Sequence, residues 1–121
     1  MKKVLVVDDS ETIRLEVRRV LGQANFTVLE ARDGAEGLAT VNLEGELSLL
    51  IVDVNMPVMN GLDMIERLNE KPETRGIPVL MLTTEAEEAL IERAKKAGAK
   101  GWLIKPVKPE MLLMAAKKLA R

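Results

Sequence analysis

The chain has 121 residues, 18 of them basic and 19 acidic, for a formal net charge of −1; no basic tail or stripe for nucleic acid is present. It contains no cysteine and no histidine, which excludes disulfides, zinc–thiolate sites, thiol nucleophiles, imidazole bases and a phosphohistidine of its own. Any metal it binds must be a hard cation held by oxygen.

The first apolar run, Lys3–Val7, is short and rich in β-branched residues, so it reads as a strand buried on both faces. Two lysines before an apolar stretch imitate the start of a signal peptide. The run stops at Asp8, however, too soon for a signal, and no transmembrane segment follows. A cytoplasmic protein is expected. Asp8 and Asp9 are adjacent carboxylates, and two such groups about 5 Å apart repel by roughly 3 kcal/mol at an effective dielectric near 20. Something must offset that repulsion.

Ile13, Val17, Val20, Leu21 and Ala24 share one helical face after this strand. Phe26–Glu30 is the second strand, and Asp33-Gly34 marks a turn before a helix over 35–43. Leu49–Val52 is the third strand, ending at Asp53, and a helix over 62–69 follows. Val79–Leu82 leads to Thr83 and Thr84, then a helix over 86–97 with Gly98 placed as its C′ residue. Trp102–Ile104 leads to Lys105, and Pro109 suits the first turn of a helix over 109–120. No repeat, low-complexity tract or linker interrupts the pattern, which predicts a single domain over 1–121.

Strict alternation of buried strands and helices predicts an α/β fold, a parallel sheet with helices on both faces. Ligands of such sheets sit outside the carboxyl ends of the strands. Asp8 and Asp9 lie at that end of the first strand, Asp53 of the third, Thr83 of the fourth and Lys105 of the fifth. Glu30 and Ala31, after the second, are unremarkable. Polar residues at strand exits often cap helices, but one cap needs one carboxylate, and capping does not account for three acids, a hydroxyl and a lysine on one rim. The rim reads as a site. Three carboxylates without histidine suit Mg²⁺, which would offset the repulsion between Asp8 and Asp9; the clustered ligands of a calcium loop are absent. Beside such an ion a phosphoryl group is tolerable, with Lys105 and Thr83 as donors to its oxygens. Asp53 is the candidate nucleophile, since aspartate forms acyl phosphates.

The stretches "VDDS", "IVDVNMPVMNG", "LMLTTEA" and "AGAKGWLIKP" resemble, in order and interval, the motifs of the response-regulator receiver domain. The likeness spans essentially the whole chain and is nearest to stand-alone chemotaxis receivers. It implies a flavodoxin-like three-layer sandwich, a five-stranded parallel sheet of order 2-1-3-4-5 with five helices, and no output domain. It further implies that Asp53 accepts a phosphoryl group from a histidine kinase, in a Mg²⁺-dependent reaction. Asp9, Asp53 and the Asn55 carbonyl would hold the ion, with Asp8 acting mostly through water. Lys105 would pair with the phosphoryl group, Thr83 would close on it, and Trp102 would be the switch aromatic. Asn55 and Glu85 match positions that tune hydrolysis. A cis Lys105–Pro106 bond is also implied. The chain departs from the pattern at Thr84, where the family favours a small residue, and at Trp102, which is larger than the usual tyrosine.

The same likeness implies docking of a downstream protein or peptide, the flagellar motor switch in a chemotaxis setting, on the face formed by the fourth helix, fifth strand and fifth helix. Ile91, Trp102 and Met114 are the candidate contacts, because Ile91 and Met114 lie off the apolar stripes of their helices. A monomer that acts on no separate substrate, and on neither nucleic acid nor membrane, is expected. Within the family, a phosphorelay shuttle or adaptor is the alternative. A flavodoxin-type nucleotide binder needs a glycine- or hydroxyl-rich loop where this chain has two acids. An aspartyl-phosphate hydrolase presents D-x-D on its first strand, which is missing here.

Overall fold

Side chains alternate across a strand, so an uninterrupted apolar run demands cover on both faces of its sheet. In a computed structural model, which describes residues 1–84 and 87–121, the runs form β1 (Lys3–Val7), β2 (Thr27–Ala31), β3 (Leu49–Asp53), β4 (Val79–Thr83) and β5 (Ala99–Ile104). All neighbours pair in parallel, in the order β2-β1-β3-β4-β5. The helices are α1 (Glu11–Gly22), α2 (Gly34–Glu44), α3 (Gly61–Asn69), α4 (Pro72–Arg75), α5 (Glu88–Lys96) and α6 (Pro109–Leu119).

Two apolar layers result. Leu5, Val7, Leu50, Val52, Val79 and Met81 face Val41 of α2, Leu62, Ile65 and Leu68 of α3, and Ala94 of α5. Val4, Val6, Leu49, Ile51, Leu80 and Leu82 face Val17, Val20 and Leu21 of α1, and Leu112 and Ala116 of α6. This is the flavodoxin-like sandwich, with the predicted strand order. Each fully buried aliphatic side chain in these layers contributes roughly 1.5–3 kcal/mol.

The helix starts are written in capping residues. Ser10, Asp33 and Asn60 accept from the amides of Ile13, Glu36 and Asp63 at 3.3, 2.8 and 2.9 Å. Gly98 follows α5 at φ +104°, a conformation that suits glycine at the C′ position.

Two elements differ from the sequence expectation. The single turn α4 brings the helices to six among the described residues; four residues carry no readable period. It is held instead by Thr74, whose buried hydroxyl donates to the Leu68 carbonyl at 2.7 Å. Strand β5 starts at Ala99, three positions before Trp102, because Ala99 and Gly101 pair with Val79 and Leu80 although they carry almost no apolar side chain. The predicted helix over 86–97 is described from Glu88 onward; Ala86, its predicted first residue, lies outside the described residues.

Val58, in the loop between Asp53 and α3, adopts φ +68° while 84% exposed. A β-branched residue in the left-handed region is strained, at about 1–3 kcal/mol, and the exposed side chain recovers little of it. Val58→Asn is expected to raise stability by about 1 kcal/mol, read as a higher urea midpoint at unchanged slope.

Candidate functional site

Four loops meet where β1, β3, β4 and β5 end. Asp8 follows β1 directly and is fully buried, Asp53 closes β3 at 5% exposure, and Asp9 is exposed. Carboxylate oxygens of the three lie within 4.8 Å of one another. The spacing confirms the problem posed by the adjacent acids, and Lys105 answers part of it. Its Nζ donates to Asp8 Oδ2 at 2.8 Å and sits 3.2 Å from Asp53 Oδ1. Lys105 is carried there by β5, its amide donating to the Thr83 carbonyl at 2.7 Å, and the Lys105–Pro106 bond is cis, as the family resemblance implied. Thr83 is fully buried at the end of β4.

Asp8 is fixed at every polar atom. Its amide donates to the Ala31 carbonyl, its Oδ1 accepts from the Ser10 amide at 2.9 Å, and its carbonyl accepts from Arg14 Nη1 at 2.7 Å. The electrostatics follow from this crowding. Burial, and next the charge of Asp8, push the Asp53 carboxyl up to about 6, against the pull of Lys105; Asp9 adds a smaller push. Burial alone would lower Lys105, but its hydrogen bond with Asp8 and the charges of Asp8 and Asp53 hold it above the ordinary lysine value.

The donor set offers only oxygen, three clustered carboxylates of which two, Asp8 and Asp53, also meet Lys105, which suits a hard divalent cation. Asn55 is exposed beside Asp53, and Thr84 is exposed beyond Thr83. Glu85 lies outside the described residues. Trp102 and Ile91 do not join this cluster. They line a small cavity of about 110 Å³ between α5 and β5, and among the described residues Trp102 Nε1 is buried without a hydrogen-bond partner. Met114 is exposed on α6 and does not line that cavity.

A model of the response regulator receiver domain matches residues 4–117. The chain belongs to the response-regulator receiver family. Receivers are phosphorylation-activated regulators of two-component signalling. This receiver is 38% identical over 111 residues to chemotaxis protein CheY1 of Helicobacter pylori, covering 91% of this chain and 90% of that protein. It is 35% identical over 106 residues to the two-component response regulator ORR3 of Oryza sativa, covering 88% and 81%. It also superposes on the structure of Vibrio cholerae chemotaxis protein CheY4 with a TM-score of 0.92 at 40% identity, over 98% of each chain.

Two residues at the receiver's site escaped the sequence reading. Arg14 is buried although charged; its three- and seven-residue spacing from Val17 and Leu21 places it on the buried face of α1, a legible signal. Gly61 donates from its amide to the Val54 carbonyl at 2.9 Å, and a Cβ there would overlap the Asp53 carbonyl oxygen. Nothing local in the sequence marks that contact.

Proposed function

We propose that Asp53 takes a phosphoryl group from the phosphohistidine of a histidine kinase, and that the protein acts in the cytoplasm as a monomeric signalling switch. The observation that carries this reading is the convergence of Asp8, Asp9 and Asp53 at the carboxyl rim of a receiver sheet, with the Lys105 ammonium bridging Asp8 and Asp53. An Asp53 oxygen attacks phosphorus, the phosphorus–nitrogen bond breaks, and an acyl phosphate forms on the carboxylate. Asp8, Asp9, Asp53 and the Asn55 carbonyl would hold Mg²⁺, which when bound supplies positive charge against the phosphoryl oxygens. Lys105, already between two carboxylates, exchanges Asp53 for a phosphoryl oxygen, and the Thr83 hydroxyl donates to another. Asn55 and Glu85 tune the return hydrolysis. The protein promotes only its own phosphorylation and dephosphorylation and turns over no separate substrate.

Output is assigned to the face of α5, β5 and α6. Without a partner among the described residues, the buried Trp102 Nε1–H costs about 1–3 kcal/mol, so the indole gains by moving to a position where it is paired or solvated. Trp102 is the switch aromatic in this reading, and Ile91, Trp102 and Met114 meet the downstream partner. The likeness to the chemotaxis proteins favours the flagellar motor switch as that partner. A phosphorelay shuttle or adaptor is the second reading, and the likeness to the rice response regulator, whose name carries no chemotaxis role, favours it.

Acetyl phosphate with Mg²⁺ is expected to add one alkali-labile phosphoryl group to the protein. A stable phosphoester on Thr83 or Ser10 instead would overturn the assignment. The chain has one tryptophan and no tyrosine, so its emission reports the switch almost alone. A phosphate mimic with Mg²⁺ should shift that emission. Ile91→Asp should weaken motor-switch peptide binding about tenfold, roughly the 1.4 kcal/mol of one well-placed apolar contact, without slowing phosphorylation.

A further inference from the structure

We infer that Arg14, anchored by Glu30, is a positioning residue for the acidic pair; the inference rests on the proposed Mg²⁺-dependent phosphorylation at this rim. Asp8 and Asp9 occupy a turn between β1 and α1, and their carboxylates converge on Asp53 only while that turn keeps its shape. Ser10 fixes one side of the turn through Asp8 Oδ1. Arg14 fixes the other: its Nη1 donates to the buried Asp8 carbonyl at 2.7 Å. A guanidinium presents several donors in one rigid plane, so a single side chain serves two acceptors in fixed geometry. The second acceptor is Glu30 Oε1 on β2, 3.0 Å from Arg14 Nε. Glu30 is itself held on its other oxygen by Arg18, 2.7 Å from Arg18 Nη2. A charged ladder therefore runs from Arg18 through Glu30 and Arg14 to the backbone of the first acid.

The chemistry explains why a charge is spent here. An unpaired buried carbonyl is costly, and a neutral donor from α1 would satisfy it. Only a cation clamped by a carboxylate fixes the direction of the donor, and so the direction of the turn that carries Asp8 and Asp9. Arg14 touches neither metal nor phosphoryl group in this account, because its contact is with the main chain. Glu30, unremarkable in the sequence, becomes the anchor.

Arg14→Met, close in length and without charge, is expected to lower the affinity for Mg²⁺ alone by at least tenfold, read from the Mg²⁺ dependence of the thermal midpoint. A readout without metal accompanies it. In metal-free buffer the Ser10 amide, which donates to Asp8 Oδ1, should exchange with solvent more than tenfold faster, while core amides of β3 shift only with global stability. Arg14→Lys should recover only part of the Ser10 protection, since the lysine keeps a donor and the charge but not the planar fork that serves both acceptors. Val41→Ala, a cavity variant on the buried face of α2, provides the stability-matched comparison and should leave Mg²⁺ affinity unchanged. If Arg14→Met does not fold, Glu30→Gln replaces it, with a three- to fivefold loss of affinity expected. Native Mg²⁺ affinity and native Ser10 exchange in these variants would overturn the inference, as would an equal loss of affinity in Val41→Ala. A native protein that binds Mg²⁺ but takes no phosphoryl group would defeat the functional reading alone, and the Ser10 measurement would still decide the role of Arg14.

Discussion

Asp53→Asn is expected to stabilise the metal-free protein at pH 7 by up to about 3 kcal/mol, while abolishing phosphoryl uptake from acetyl phosphate. The two effects have one cause. The Asp53 carboxyl is pushed from 3.8 to about 6, first by burial and then by the neighbouring charge of Asp8. A raised carboxyl binds its proton more tightly in the folded state than in the unfolded chain. Folded and unfolded states are alike below the unfolded value near 4; as the pH climbs toward 6 the unfolded chain releases the proton first and stability falls, and above 6 the full cost is in place. Asparagine has the shape of the protonated carboxyl and never ionises, so its advantage should be absent near pH 4 and complete by about pH 7. Lys105 limits the gain, because it loses one of its two carboxylate partners in the variant. Lys105 itself acts in the opposite sense: with its folded value raised, its contribution is fully present below the ordinary lysine range and is lost only as the pH rises through that raised value. Mg²⁺ should erase the difference by stabilising the native protein and not the variant. Urea denaturation at pH 4 and pH 7, with and without millimolar Mg²⁺, gives the four stabilities required for each of the two proteins. Equal stability of both proteins in metal-free buffer at pH 7 would mean that Asp53 is not held under charge strain.

Much of this site was legible because strand ends are legible. An apolar run that stops at a charged residue marks where the backbone leaves the sheet, and in a parallel sheet all such exits on one side share a rim. Asp8, Asp9, Asp53, Thr83 and Lys105 each announce an exit, so their convergence follows from connectivity. The strand order required the family likeness, since periodicity does not say which strands are neighbours. What escaped has a physical pattern. Strand β5 begins with Ala99, Lys100 and Gly101, at the edge of the sheet, where pairing by backbone replaces apolar burial and leaves no mark in hydropathy. The turn α4 is tied back to the end of α3 by side chains, Thr74 Oγ1 to the Leu68 carbonyl and Arg75 Nε to the Asn69 carbonyl, contacts that no hydrophobic period announces. Arg14 was readable from its spacing on α1, but a charged residue on an apolar stripe is easily taken for one that extends to solvent.

Gly61→Ala is expected to cost about 3 kcal/mol or more and to slow phosphorylation at least tenfold in the protein that remains folded. Gly61 opens α3, capped by Asn60, and its amide donates back to the Val54 carbonyl just past β3. That bond draws the start of the helix against the end of the strand. A Cβ at Gly61 would overlap the Asp53 carbonyl oxygen and approach the Asp53 carbonyl carbon and Val52 Cγ1 to 2.9 Å. Val52 could rotate, but the Asp53 carbonyl could not move without moving the residue proposed to receive the phosphoryl group. Glycine is needed here for close approach and not for an unusual dihedral, so an alanine cannot be absorbed by local relaxation of the turn. Gly22 provides the contrast within the same protein. It ends α1 with nothing within 4 Å of a new Cβ, and Gly22→Ala should be neutral or stabilising by about 0.5–1 kcal/mol. The urea midpoints of the two variants, with acetyl phosphate uptake measured on the folded fraction, separate the two situations. A Gly61→Ala protein of native stability would show that α3 is free to retreat from β3. Native stability joined to slow phosphorylation would place the whole effect on the position of Asp53.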